Sequence, residues 1–407
     1  MGGGMARRHV ELVRRLGPDP VLVSTVAADP GEESAAAAFD AGESYPIARQ
    51  PFPFRGAKTI LHQAQWARWL VPHTRRRPEA PLAVIHCGNI RPAGYPTWWA
   101  HRATGAPYVV YVYGGDLLRE RRKMAAGASQ RALKRWTARR ILGDAAGVIA
   151  ISDWTADLAR EVMATAGVRE PPPVLVNPLG TDPDFFRPGR DARTLRAKLA
   201  LGDAPLMLTV ARLVPHKGID VACRALAALA PHHPALRYLV VGVGDDAARL
   251  AALVRTLGVE DRVRFAGALS DAEIADAYAT AAVYVGLSRV DAEINAEGFG
   301  IAFIEAAASA TPSVAGDSGG VRSAVRDGET GLVVNPTDVG AVAQAIGMLL
   351  DDPGRRRTMG EAARKAAEGY YNWTRVAEDV RAFVHRIASA PESPPGRVLA
   401  RVAATAR

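Results

Sequence analysis

Short apolar runs separated by amphipathic stretches set the rhythm of this 407-residue chain. Val21–Val26, Leu82–His86, Tyr108–Tyr113 and Gly147–Ser152 read as buried strands, because brief apolar runs bounded by turn residues suit a sheet covered on both faces. Helical spacing fills the intervals, notably Leu61–Leu70 and Leu117–Leu142. At the front, Gly2–Leu16 reads as a Gly-rich turn opening an amphipathic helix with Val10, Val13 and Leu16 on its inner face; Gly17-Pro-Asp-Pro20 stops it. A strand at Val174–Asn177 leads into Pro178-Leu-Gly-Thr-Asp-Pro-Asp-Phe-Phe-Arg-Pro188, whose prolines and glycine mark a domain boundary.

The second half repeats the pattern. Strands are predicted at Leu206–Val210, Leu236–Val241, Val263–Gly267, Ala282–Leu287, Ser313–Ala315 and Gly331–Val334. Helices are predicted over 219–230, 247–257, 271–281 (with Ser270 as N-cap), 301–309, 339–350, 355–368 and from Asn372 to about Ile387. Alternating strands and helices imply an α/β chain of two doubly wound, Rossmann-like domains built on parallel sheets.

Composition narrows the class only a little. Hydrophobic content of 48% and charged content of 23% are ordinary for a globular protein. No stretch approaches the ~18 apolar residues of a membrane span. Met1–Arg8 lacks the apolar core of a signal peptide, and Ala6 stands where myristoylation wants Ser or Thr. Cys87 and Cys223, each in an apolar context, read as buried free thiols, so a cytoplasmic location is expected. The net charge of +9 asks for an acidic partner, and nucleic acid, anionic lipid or a phosphorylated substrate would all qualify.

The chemistry concentrates in Glu297-Gly-Phe-Gly-Ile-Ala-Phe-Ile-Glu305, which follows a buried strand and leads into a helix. Two glycines at a helix start let backbone N–H groups approach an anion, and the helix dipole favours negative charge there. Flanking carboxylates can each accept from two neighbouring hydroxyls. Phosphate between two hydroxyl-bearing groups describes a nucleotide sugar, although a Gly-rich turn before an ordinary helix is the plainer reading. Arg212 and Lys217 follow a strand at the sheet edge where open α/β folds bind ligands, and could neutralise a diphosphate without a metal. Read alone, they are equally well solvated loop cations.

The stretch resembles the E-x7-E signature of retaining family 4 glycosyltransferases, which have the GT-B fold. Leu175–Pro188, Ala211–Asp220, Val263–Gly267 and Gly328–Val334 match that family in order and spacing, so the resemblance covers nearly the whole chain. The Arg212-to-Lys217 spacing and Ala302–Gly320 are most similar to its phosphatidylinositol mannosyltransferase branch. The resemblance implies an N-terminal acceptor-side domain over 1–180, a C-terminal donor domain over 181–370 and a helix at 371–389 crossing back; the tail 390–407, with Pro391, Pro394 and Pro395, is expected to be disordered. The resemblance also implies that Glu297 holds the donor hexose and Glu305 the ribose. The diphosphate would lie on the backbone of Gly298, Phe299, Gly300 and Ile301, the base near Gly267, with Gly3 and Gly4 on the donor side. In the family a glycine pair of this kind follows a first strand; none precedes it here, and the chain as given is expected to lack that strand.

The implied reaction moves a hexose, with mannose a candidate, to a hydroxyl of a glycan or lipid. Retention would come from front-face attack, with Arg212, Lys217 and Glu297 as the catalytic set, no dedicated nucleophile, no cofactor and no metal. The alternatives are a non-catalytic sugar-nucleotide binder, or a GT-B epimerase or phosphorylase. On the acceptor side Tyr113-Gly-Gly-Asp116 stands where family members carry His-Gly-x-acid. Asp116 keeps the acid, but a tyrosine with an ordinary pKa near ~10 is a poor base. His86 ends an apolar strand and reads as a core histidine in preference to an acceptor-side group. Arg322 and Ser323 replace the family's Pro and Glu, and Ala310 replaces a helix-ending glycine.

Three other patterns are decoys. Gly316-Asp-Ser-Gly-Gly320 copies a serine-protease motif in a chain with the wrong alternation of elements, so its glycines are read as shaping the donor loop. Asp182-Pro-Asp184 imitates a metal-binding motif but sits in the boundary, where a turn is expected. Gly242-Val-Gly244 lacks the third glycine of a dinucleotide site. The basic region 119–140, with Leu133 and Trp136 among its cations, suits peripheral docking on anionic membrane or is a solvated face; no nucleic-acid motif accompanies it.

Overall fold

The computed structural model describes residues 4–16, 23–25, 31–50, 60–75, 84–125, 128–290 and 295–389. The expected tail from 390, Gly3 and the outer residues of the Val21–Val26 and Leu82–His86 runs lie outside them. The first half runs α1 (Gly4–Val13), β1 (Val23–Thr25), α2 (Glu33–Gly42), β2 (Ile47–Arg49), α3 (Ile60–Leu70), β3 (Ile85–Cys87) and α4 (Gly94–Thr104). It continues through β4 (Tyr108–Val112), α5 (Gly115–Ala125), α6 (Ala128–Gly143), β5 (Gly147–Ala150), α7 (Asp153–Ala166) and β6 (Val174–Val176). The second half runs α8 (Arg193–Lys198), β7 (Leu206–Val210), α9 (Ile219–Leu229), β8 (Arg237–Val241), α10 (Ala247–Thr256), β9 (Val263–Gly267) and α11 (Asp271–Thr280). Then come β10 (Val283–Gly286), α12 (Ile301–Ala308), β11 (Ser313–Gly316), β12 (Gly331–Val334), α13 (Val339–Asp351), α14 (Pro353–Gly369) and α15 (Trp373–Ser389).

Among the described residues the strands form two main parallel sheets and one small pair. The first has the order β3-β4-β5-β6, and β1 and β2 form a separate parallel pair; among the described residues β3 pairs only with β4. Because side chains alternate along a strand, Tyr108, Val110 and Val112 of β4 join one core with Leu117, Ala138 and Leu158. Val109 and Tyr111 point the other way, into a core shared with Leu12 of α1 and Ala377, Val380 and Phe383 of α15. The second sheet has the order β12-β11-β10-β7-β8-β9, with Leu206 and Leu208 on one face and Met207 on the other. Local chemistry closes several helices. Ser152 and Ser270 form capping boxes at the starts of α7 and α11, and Gly167 ends α7 at φ 81°.

The last helix therefore completes the first core. Gly147 makes room for it, since a Cβ there would stand 2.7 Å from the Phe383 ring. The chain enters this helix beside the boundary segment, where Thr181 N–H donates to Tyr371 O at 2.8 Å and Thr181 bridges Asn372.

One expectation needs correcting. The inner face of α1 is Arg8, Leu12 and Leu16 (spacing i, i+4, i+8), while Val10 and Val13 are only half-buried. Arg8 is fully buried because its Nη2 donates to Asn177 Oδ1 at 2.7 Å and its guanidinium lies 4.9 Å from the centre of the Tyr111 ring. The helical stretch 117–142 divides into two helices, α5 and α6, packed on each other. Ala310 does sit at φ 56°, the strained position its replacement of glycine implied.

The boundary gives a stability test. A Cβ at Gly180 would lie 2.7 Å from the Trp373 backbone nitrogen, so Gly180→Ala is expected to push α15 outward and cost about 1–3 kcal/mol of stability. Urea denaturation should show a lowered midpoint.

Candidate functional site

In the second sheet, strand order runs outward from β7 through β8 to β9, then returns to β10 on the other side of β7. The gap between the C-terminal ends of β7 and β10 is thus a topological switch point, where open α/β sheets bind ligands. The loop after β7 carries Arg212 and Lys217, and the segment after β10 carries Ser288 and Glu297. Gly218 (φ 68°) lets the two loops touch: a Cβ there would meet Leu287 O at 2.1 Å. A cavity of about 180 Å³ opens here, lined by Arg212, Lys217, Ser288, Glu297, Gly300 and Ile301 among others.

Lys217 Nζ lies 2.6 Å from Glu297 Oε2, and Ser288 Oγ donates to the same oxygen at 3.1 Å. Burial pushes the Glu297 carboxyl up, but the charge and hydrogen bond of Lys217, with the bond from Ser288, outweigh it and hold the group below its ordinary value. Arg212 is exposed and has no ion-pair partner among the described residues.

Gly300 starts α12 at φ 94°, and no side chain caps this helix. Phe303 N–H already donates to Gly300 O at 3.0 Å, which leaves the N–H groups of Ile301 and Ala302 for a ligand or water. Phe299 contributes only backbone, because its ring is buried against Tyr371. Glu305, on the same helix, is buried: Oε1 accepts from Arg7 Nη1 at 3.1 Å and Oε2 from the Tyr278 hydroxyl at 3.1 Å. Burial raises its carboxyl to about 7 in spite of those partners. Gly267 ends the edge strand β9 at φ 68°, two strands from the switch point, and does not line the cavity. Gly4 opens α1, one turn before Arg7.

Gly298 is where the two halves meet. A Cβ on it would stand 2.3 Å from Tyr113 O, and its own carbonyl accepts from Ser152 Oγ at 2.7 Å. Gly320 closes the contact from the far side, its N–H donating to Glu297 O at 2.7 Å. The protease-like glycines thus brace the Glu297 loop. In the boundary, Asp182 Oδ1 accepts from the N–H groups of Asp184 and Phe185, which is a turn. Among the described residues no three His, Cys, Asp or Glu side chains gather as a metal-binding group.

On the first-half side, Asp116 lies in the first turn of α5; its Oδ1 accepts from Tyr113 N–H at 3.1 Å while Oδ2 is buried without a partner. Burial raises its carboxyl, against bonds from the Tyr113 and Leu117 backbone. The Tyr113 hydroxyl lies 2.8 Å from His9 Nε2, a residue the sequence reading passed over. Burial, then the nearby Arg8 charge, lowers His9 to about 4, so the ring is neutral at pH 7. His86 Nδ1 lies 2.8 Å from the Tyr111 hydroxyl, and burial lowers His86 to about 4 as well, which fits a core histidine. The missed signal was the polar triplet Arg7-Arg8-His9. Successive helical residues point ~100° apart, so three such side chains reach three different neighbours.

Further out, α6 exposes Leu133 and Trp136 among Arg131, Arg135 and Arg139, with no acid between residues 128 and 143. Trp136 continues through Trp98 to the exposed Trp99. No helix among the described residues is long and apolar enough to cross a membrane.

Two family models match consecutive parts of the chain: "Glycosyltransferase Family 4" over residues 2–185 and "Glycosyl transferases group 1" over 191–366. A GDP-mannose-dependent alpha-(1-6)-phosphatidylinositol monomannoside mannosyltransferase of Mycolicibacterium smegmatis is 37% identical over 250 residues, 61% of this chain and 64% of that protein. A D-inositol 3-phosphate glycosyltransferase of Acidothermus cellulolyticus is 37% identical over 258 residues, 60% of this chain and 55% of that protein. The matched segments thus span a little over half of these relatives' lengths. Among solved structures, Anabaena Alr3699/HepE in complex with UDP and glucose aligns at a TM-score of 0.73 with 21% identity, covering 95% of this chain and 97% of that one. A glycosyltransferase from Rickettsia africae aligns at 0.74 with 19% identity, covering 96% of each. With both halves matched in order, and the two-sheet architecture shared across almost the whole chain, the protein belongs to the family 4 glycosyltransferases of GT-B fold.

Proposed function

We propose that the protein transfers a hexose, with retention, from a nucleoside diphosphate sugar to a hydroxyl of a phosphoinositide-like lipid or glycan acceptor. The observation that carries this reading is the Lys217–Glu297 pair at 2.6 Å, at the switch-point cavity beside the uncapped start of α12. Glu297, held ionised, accepts from hexose hydroxyls, and Glu305 accepts from the ribose. The diphosphate lies against the N–H groups from Gly298 to Ile301. Arg212 and Lys217 neutralise its charge as the glycosidic bond breaks, which is the main electrostatic contribution and asks for no metal. The acceptor hydroxyl enters from the first-half side on the same face as the leaving phosphate. There the unpartnered Oδ2 of Asp116 and the Tyr113–His9 pair offer polar contacts. Mannose and an inositol-bearing acceptor are favoured by the stated activities of the matched relatives.

A calorimetric panel of UDP-, GDP- and ADP-sugars without added metal tests the donor site. One nucleotide should bind in the micromolar range to the wild type and not to Glu305→Ala. Failure of all three with folded protein would overturn the reading. With that donor, Lys217→Met should lower kcat by about 10²–10³, the size of a lost oxyanion-type contact.

The basic–aromatic face of α6 docks on anionic membrane in this reading, bringing the first half to a lipid acceptor. Each basic residue near such a surface contributes about 1 kcal/mol, so Arg135→Gln with Arg139→Gln should reduce co-sedimentation with phosphatidylserine vesicles by roughly ten- to thirtyfold. Equal binding to neutral vesicles would contradict it.

A further inference from the structure

Arg7 reaches from α1 of the first half to a carboxylate of the second. Its Nη1 lies 3.1 Å from Glu305 Oε1, its guanidinium sits 5.5 Å from the centre of the Phe186 ring, and its side chain is 25% exposed. An ionised carboxylate out of water needs a counter-ion. The other groups acting on Glu305 cannot be one: the Tyr278 hydroxyl from α11 is neutral, and Asp271, also on α11, repels it. Ribose hydroxyls are neutral too, so a bound donor would not supply the missing charge. A carboxylate has about four acceptor positions. Arg7 and Tyr278 take two of them, and two stay open for a pair of neighbouring hydroxyls. The next residues along α1 are anchored in the first half, Arg8 on Asn177 and His9 on Tyr113, which fixes where Arg7 can reach.

We propose that Arg7 is a positioning residue of the donor site, the counter-ion that lets Glu305 ionise near neutral pH so that both of its oxygens can accept ribose hydroxyls. The proposal rests on the donor-site reading above. Its pH dependence follows from the direction of the shift. Burial already lifts Glu305 to about 7, and Arg7 opposes that rise. Without Arg7 the carboxyl titrates higher still, is protonated near pH 7, and ionises unaided only in more alkaline solution.

UDP, GDP and ADP binding, measured by calorimetry from pH 6 to 9 on wild type, Arg7→Met and Arg7→Lys, tests this. Arg7→Met should weaken binding of the preferred nucleotide about tenfold or more at pH 7. The loss should shrink towards pH 9, and Arg7→Lys should restore most of the affinity. On a Glu305→Gln background, Arg7→Met should have no further effect. Equal or tighter binding by Arg7→Met at pH 7 would mean that Arg7 merely plugs the site, and would overturn the proposal. So would a loss that is constant across pH and not rescued by lysine. Circular dichroism of each variant excludes misfolding as the cause. If folded wild type binds none of the three nucleotides, the donor-site reading fails and takes this proposal with it; if wild type binds and Arg7→Met matches it, only the proposal fails.

Discussion

Backbone meets backbone at Gly298, and there is no clearance for a side chain. Tyr113 O sits against its α-carbon on one side, and its carbonyl takes the Ser152 hydroxyl while Gly320 presses from the other. The end of β4 and the start of β5's following helix are thereby keyed directly to the loop that presents Glu297. Any movement of one half relative to the other must be felt at the Glu297 carboxylate. Glycine at 298 and 320 is a packing requirement here, because every substitution brings a Cβ inside contact distance of a carbonyl oxygen.

Around that joint the fold places two carboxylates in opposite electrostatic settings. Glu297 has a lysine at 2.6 Å and a hydroxyl on the same oxygen, and its ionised form is secure. Glu305 is set deeper, its side chain 10% exposed against 18% for Glu297, and its ion pair with Arg7 is longer, so burial lifts it to about 7. The same residue type is thus a fixed anion at Glu297 and, at Glu305, a group that titrates at about 7. The difference comes from which half supplies the cation: Lys217 belongs to the same sheet edge as Glu297, whereas Arg7 arrives from the other side of the cleft.

Most strands of the second half were legible because each is a short apolar run closed by glycine or a polar turn, and burial on both faces makes such runs continuous; the edge strand β9, with exposed Arg264, is the exception. Arg212, Lys217, Glu297 and the glycines around Ile301 were legible for a related reason: parallel topology forces the residues after β7 and β10 to one edge, whatever their distance in sequence. The first half was harder. α4, which the sequence reading did not name, begins Gly94-Tyr-Pro96, with its proline tolerated in the first turn. A period-based reading also put Val10 and Val13 beside Leu16 on the inner face of the first helix; Leu16 is buried there, but nothing in a helical pattern announces a buried arginine. Arg8 goes inside only because Tyr111 and Asn177, about a hundred residues and more away, provide a ring face and an amide. Arg7 and His9 were missed with it, as their roles exist only once the two halves are assembled.

The packing of α15 on the first sheet has a consequence during synthesis. Val109, Tyr111 and Ile149 are made early, but Val380 and Phe383, which cover them, come near the end. At roughly 5–20 residues per second, the interval between Ile149 and Phe383 is on the order of ten to fifty seconds. For that time the nascent first half carries an uncovered apolar sheet face on the ribosome while the second half folds behind it. The two halves are successive in sequence yet finish together, and a chain released before the last helix would leave the earlier domain, not the later one, incomplete.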